Sequence, residues 1–337
     1  MKGRKILAIV AEIGLAFAAS AFLIAAMGVD PMMAYGVFFS NAFGSLYGVA
    51  ETLTVATPLI LAALGIIVAF RCKFWNIGAE GQLLLGAAIA AWLGMSVKAP
   101  FSLMLPLLFS ASFMAGAMWG VIPGYLKAKL QVNEIITTLM MNFIALLFVS
   151  FLVEDLLKEE GALFPRTPPI LPAAQLPKLI PGTRLHAGFI VAVALSILVY
   201  LVLQKTIFGY RIRSTGSNPL AARYGGINVT RYTIYAVILS GGLAGMAGMG
   251  EVSGVHYRLV NNISPGYGYF AIIVALLGRL HPIAVVLTGI FFGGLIVGSS
   301  AMTSMTVIPG AFMYVLQAFI LIFMLGIDSM MEKMKLF

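Results

Sequence analysis

Residues 74–86 read FWNIGAEGQLLLG, a polar, glycine-bearing stretch set between the apolar runs Leu53–Phe70 and Leu83–Val97. Around it the chain is mostly hydrocarbon: of 337 residues 61% are hydrophobic and 10% charged, and the mean hydropathy is +1.02. One soluble core could not hide so much apolar surface, so the bilayer must be the solvent. The apolar runs are continuous rather than alternating, which excludes a β-barrel and predicts an all-α, polytopic integral membrane protein. Leu83–Val97 reaches only about 22 Å at ~1.5 Å per residue, short of a core about 30 Å thick. Part of residues 75–82 must therefore enter the membrane, and non-helical backbone at that depth needs protein or a water-filled cavity around it. The first discontinuous segment is placed near residues 71–82.

Outward from this stretch, spans are expected at Ile6–Met27, Leu53–Phe70, Leu83–Val97, Ser102–Gly124, Ile135–Val153, Ala187–Leu203, Tyr232–Met249 and Ala311–Gly326. Residues 267–297, too long for one pass and short for two, complete about ten crossings, with both termini on one side. Of 21 basic residues, all but Lys98, Lys158, Arg166, Lys178, Arg184 and Arg258 fall on the side assigned to the cytoplasm. The formal charge of +9 thus reads as an orientation signal, and nucleic acid is not an expected partner. Met1–Lys5 followed by Ile6–Met27 imitates a secretory signal, but the run can span by itself and is read as an uncleaved first helix. The whole of 1–337 is expected to form one membrane domain, with an outer proline-rich loop at 154–186 and an inner loop at 204–231.

A second discontinuity falls at Gly278–Pro282, within residues 267–297. Two interrupted segments, one in each half, are how transporters build a central pathway; two ordinary tight turns are the plainer reading. Glu134, Thr138 and Asn142 recur every four residues and share one helix face, suited either to lining a pathway or to bonding a neighbouring helix. Glu12 is expected to snorkel or to find a partner near the inner surface. Gly241 with Gly245, and Ala244 with Gly248, give the small-xxx-small spacing of close helix contact. Leu239–Gly242 imitates part of an ATPase signature, but no GxxxxGK[ST] phosphate loop occurs, so ATP hydrolysis is not expected of this chain. A single cysteine, Cys72, and the widely separated His186, His256 and His281 offer no disulfide framework or metal-ligand spacing. No catalytic residue is assigned.

Within the inner loop, Asn218-Pro219 is an N-cap and first-turn pair, Ala221 and Ala222 favour helix, and Gly225 or Gly226 can end it. A rigid two-turn helix exposing Arg223 and Tyr224 is a docking element; an interfacial loop whose arginines fix topology is the alternative.

FWNIGAEGQLLLGA at 74–87, VNEIITTLMMNFIA at 132–145, STGSNPLAARYGGINV at 214–229 and ALLGRLHP at 275–282 lie in order along the chain. Together they resemble the permeases of bacterial ABC importers, nearest the branch for nucleosides and simple sugars and more distantly those for ribose and branched-chain amino acids. Trp75 departs from the pattern, which would put the phenylalanine directly before the asparagine. The resemblance implies a permease subunit of the bacterial inner membrane with both termini cytoplasmic. Its implied partners are a second, similar permease, a cytoplasmic ATPase that binds ATP and magnesium, and an extracytoplasmic solute-binding protein; no cofactor belongs to this chain. It further implies that Gly216, Asn218, Pro219, Ala221, Ala222, Gly225 and Ile227 form the segment that docks on the ATPase, which Ala222→Asp is expected to uncouple. Translocation-pathway candidates are Asn76, Gly78, Glu80, Gly81, Gln82, Thr138 and Asn142. A permease for branched-chain amino acids or another small polar solute, and an ion-coupled secondary transporter relying on Glu12 and Glu80, are the rival readings.

Overall fold

The computed structural model describes residues 2–333, which form thirteen α-helices and no named strand. In chain order these are α1 (Lys2–Ala26), α2 (Pro31–Phe43), α3 (Leu46–Arg71), α4 (Ala79–Ser96), α5 (Phe101–Leu130), α6 (Glu134–Phe151) and α7 (Gly188–Lys205). There follow α8 (Ile207–Ser217), α9 (Pro219–Tyr224), α10 (Val229–Glu251), α11 (Tyr267–Leu277), α12 (Ala284–Met305) and α13 (Phe312–Lys333). Each of the ten expected crossings coincides with one of these helices, and α2, α8 and α9 are additional. Among the described residues, six helical stretches are long and apolar enough to cross a membrane: α3, α5, α7, α12, and α6 and α10 with the turns that extend them. Shorter apolar stretches lie in α1, α11 and α13.

The chain divides into two compact units, Met1–Val55 with Phe291–Phe337, and Ala56–Ile290. In the first, α1 packs on α13. Helix α2, not expected from hydropathy, starts where the Asp30 carboxylate accepts the amide of Met32 at 2.9 Å and Pro31 fills the first turn. It is tied to α1 by Tyr35, whose hydroxyl meets Ser20 Oγ at 2.7 Å and donates to the Phe17 carbonyl at 2.6 Å. Phe17, Phe38 and Phe39 stack edge and face around it. Gly294 and Gly298 of α12 leave room for the rings of Phe43 and Phe38. Glu12 is fully buried, so of the two expectations for it snorkelling fails, while it is not left without a partner.

In the second unit α4, α5 and α10 make the tightest contact. A side chain at Gly241 would fall on the carbonyl of Gly116, one at Gly245 on that of Ser112, and one at Gly248 on that of Leu83. The reverse holds too: Gly86 and Gly116 face the carbonyls of Gly245 and Gly241. Without hydrophobic driving force inside lipid, such backbone approach supplies the dispersion contact that holds helices together. Ser112 Oγ adds a hydrogen bond to the Gly86 carbonyl at 3.1 Å.

The proline-rich loop after α6 has no long helix, as its sequence predicts, yet its backbone is pinned. Amides of Thr167, Ile170 and Leu176 donate to the carbonyls of Leu259, Tyr257 and Ser253 at 3.0, 2.8 and 2.8 Å, and Leu171 N donates to Gly94 O at 2.8 Å. This loop thereby covers the C-terminal ends of α4 and α10. Both α6 and α10 finish in a π-helical turn, Leu152–Leu156 and Val252–His256, the wider ring that often marks a functional position.

Candidate functional site

Helix α3 stops at Arg71, and residues 72–78 are not helical; Lys73 takes a left-handed φ of 55°. The helix resumes at Ala79, so Glu80, Gly81 and Gln82 belong to the first turn of α4 rather than to the unwound piece. A break here frees backbone groups that lipid cannot satisfy, and the polar side chains flagged in the sequence take them up. Asn76 Oδ1 accepts the amide of Gly78 at 3.0 Å, while its Nδ2 donates to Gln82 Oε1 at 2.9 Å and to Ser240 Oγ at 2.8 Å. From α6, Asn142 Oδ1 accepts the amide of Gly81 at 2.8 Å and Nδ2 donates to the Ile77 carbonyl at 2.9 Å. Thr138 Oγ1 accepts the Ile77 amide at 3.3 Å and donates to the Glu134 carbonyl at 2.6 Å.

Asn76, Gly78, Gly81, Gln82, Thr138 and Asn142 are thus brought into one buried network. Gly81 lets the asparagine in: a β-carbon there would press on Asn142 Oδ1 and Ala145. Glu80 points elsewhere, with Oε2 accepting the amide of Gly268 at 2.7 Å at the start of α11 and Ser264 bonding the same carboxylate. Gly268 has no room for a side chain against the backbone of Glu80. Phe74 is buried and Trp75 turns outward, its ring centroid 4.5 Å from that of Phe70. The extra aromatic is accommodated at the surface without displacing the asparagine.

The segment 214–227 folds as its punctuation predicts. Asn218 Oδ1 accepts the amides of Leu220 and Ala221, each at 3.1 Å, Pro219 opens α9, and Gly225 caps it with Gly226 at φ 76°. Ala222 is 5% exposed and faces α8, while Leu220 and Tyr224 are 66% and 94% exposed. Between α8 and α9 lies a groove of about 450 Å³ lined by Tyr210, Ser214, Asn218, Ala221, Ala222, Gly225 and Ile227. Its α8 wall, with exposed Ile207 and Tyr210, was not anticipated; their exposure depends on the pairing of two helices.

This segment abuts the first break, which is itself tied to the second. Gly216 lies so close to Arg71 O that no β-carbon fits, and Arg71 Nη2 donates to the Leu280 carbonyl at 2.8 Å. Leu280 and Arg279 are left-handed, at φ 52° and 51°, in the turn that interrupts α11 and α12. A smaller cavity of about 170 Å³ joins Cys72, Lys73 and Phe74 to Pro219 and Arg223. The sequence also missed Ser240, Ser264, Gly268 and Tyr269, the last accepting from Asn142 Nδ2 at 3.1 Å. Their partners lie more than a hundred positions away, beyond the reach of any spacing rule.

Comparison with known proteins meets this geometry. The family described as branched-chain amino acid transport system / permease component matches residues 48–325. The glucose ABC transporter permease TsgB13 of Haloferax volcanii is 39% identical over 92% of this chain and 84% of its own length. The guanosine permease NupP of Bacillus subtilis is 34% identical over 95% and 94%, and the nucleoside permease NupB of Lactococcus lactis is 32% identical over 99% and 94%. No solved structure matches the chain. With the match running from α3 into α13, through both helix breaks and the capped segment between α8 and α10, the chain belongs to the ABC-transport permease family, as a multi-pass membrane subunit.

Proposed function

We propose that this chain imports a nucleoside or simple sugar through the bacterial inner membrane, with ATP and magnesium bound and hydrolysed by a partner ATPase. A second, similar permease and an extracytoplasmic solute-binding protein complete the assembly, and both termini face the cytoplasm. The whole chain serves as one permease, with 204–231 inside and 154–186 outside. Support for the cargo comes from the glucose, guanosine and nucleoside permeases it resembles along most of its length.

One observation carries the mechanism. The segment α8–α9 touches the end of α3 through Gly216, and Arg71 of α3 bonds the second break through Leu280. An ATPase seated on Leu220, Tyr224 and the α8–α9 groove would push on both interruptions at once. The buried network around Asn76, Gly78, Gly81, Gln82, Thr138 and Asn142 would then hold the first break as a hinge beside the route, with Glu80 tying it to α11. A hinge of this kind changes the opening without binding solute tightly.

The test is uptake by the full importer in proteoliposomes. Leu220→Asp and Tyr224→Ala should each cut uptake about tenfold or more while the subunit still inserts, since a buried interfacial anchor is worth at least ~2 kcal/mol. Uptake at the unaltered rate in both variants would remove α9 as the docking element.

A further inference from the structure

A cleft of about 250 Å³ separates α7 from the face made by α3, α5 and α10. Val68, Phe113, Val199, Val202, Leu239 and Met246 are among its walls, and every lining side chain is apolar. The main helix contact of α7 is with α8, its own continuation, and Leu198 on the cleft side is exposed. A void with no partner atoms forfeits dispersion energy. A dry cavity of ~150 Å³ accepts benzene, so one of this size takes an alkyl segment of roughly ten carbons by proportion.

One end of the cleft carries charge. Arg71 lies three residues beyond Val68, on the same face of α3. Arg213 Nη1 donates to Gln204 Oε1 at 2.8 Å, and Gln204 directly follows Leu203, another lining residue. Arg213 lies one turn before Gly216 on α8, and Gly216 packs against the Arg71 carbonyl, so the two arginines flank one contact; among the described residues neither has a carboxylate partner. Arg213 Nε is buried with no acceptor. Two like charges held together with a spare donor call for an anion, and phosphate fits the guanidinium fork.

We propose that this cleft is a lipid site: one acyl chain of an anionic phospholipid lies between α7 and α10, and its headgroup phosphate rests between Arg71 and Arg213. A zwitterionic lipid also carries a phosphate, but its ammonium group would be repelled by the paired arginines and leaves one positive charge unmatched, and free phosphate would leave the apolar cleft empty. Basic pockets between membrane helices bind anionic headgroups for the same reason.

The test uses the full-length chain in detergent, with native mass spectrometry and thermal unfolding. Phosphatidylglycerol, phosphatidylcholine of the same acyl chains, and inorganic phosphate are added separately. Phosphatidylglycerol should be retained as a single bound lipid and raise the midpoint by several degrees, with the other two binding about tenfold more weakly or less. Leu198→Trp, which fills the cleft, and Arg213→Gln should each reduce phosphatidylglycerol retention about fivefold or more. Equal retention of phosphatidylcholine, a full shift from phosphate alone, or unchanged retention in both variants would overturn the site. Should either variant fail to fold, the three-ligand comparison on the unaltered chain decides by itself.

Discussion

At the residue scale, the polar side chains near the first break act chiefly by satisfying backbone. Asn142 pairs with both the Gly81 amide and the Ile77 carbonyl, so Asn142→Leu should cost about 1–3 kcal/mol, read as a lower thermal midpoint in detergent. Gly245 is a stricter position: a side chain there meets the Ser112 carbonyl, and Gly245→Val should cost about 3 kcal/mol or more, whereas Gly14→Ala, with nothing nearby, should cost almost nothing. His186, in the proline-rich loop, is buried, and its Nδ1 accepts the amide of Gly188 at 3.2 Å. Burial, and then the charge of Lys178, push its imidazole from 6.5 to about 4. The folded state holds it neutral while the unfolded chain takes up a proton near pH 6.5. Stability is therefore full above pH 6.5 and falls as the pH drops to about 4, by about 3 kcal/mol in total. Unfolding midpoints between pH 7 and 4 should show this slope, and His186→Gln should flatten it whatever it does to the plateau.

At the scale of elements, helix α9 was readable almost residue by residue, because capping and proline rules act over four or five positions. Its role in packing was not. Ala222, the natural choice for a disruptive charge, is buried against α8, so Ala222→Asp should unfold the segment as well as weaken docking. Comparing it with Leu220→Asp separates the two effects: limited proteolysis at 218–226 should rise in the first variant and stay unchanged in the second. The α8 wall of the groove and helix α2 escaped the sequence reading because both are short and their hydropathy is ordinary. The two helix breaks were legible, since their flanking apolar runs are too short for the bilayer. The exact extent of the first was not, because Glu80–Gln82 satisfy a helical first turn as readily as an unwound one.

At the scale of the molecule, the ATP-driven and ion-driven readings part on energy source. Uptake by the assembled importer should be insensitive to an uncoupler while ATP is held constant; collapse of uptake would restore the ion-coupled reading. The depth of the first break can be probed against a quiet background. Cys72 is the chain's single cysteine and is buried, so the unaltered chain should react slowly with a maleimide at pH 7.5. Against it, Trp75→Cys should label readily and Gly81→Cys should not, because Trp75 is exposed and Gly81 buried.

The sequence by itself determined the solvent of this protein, where its apolar helices fall and in what order, the two interruptions and the capped helix at 219–224. Each follows from composition, from run length against bilayer thickness, or from contacts within one or two turns. Only the tertiary structure decided what the polar residues do. Asn76 finds Ser240, Glu80 finds Gly268, and Gly216 meets the end of α3 across separations in sequence that carry no periodic trace. In lipid every freed amide and carbonyl must find a partner, but which partner is set by the glycine contacts that bring α4, α5 and α10 together.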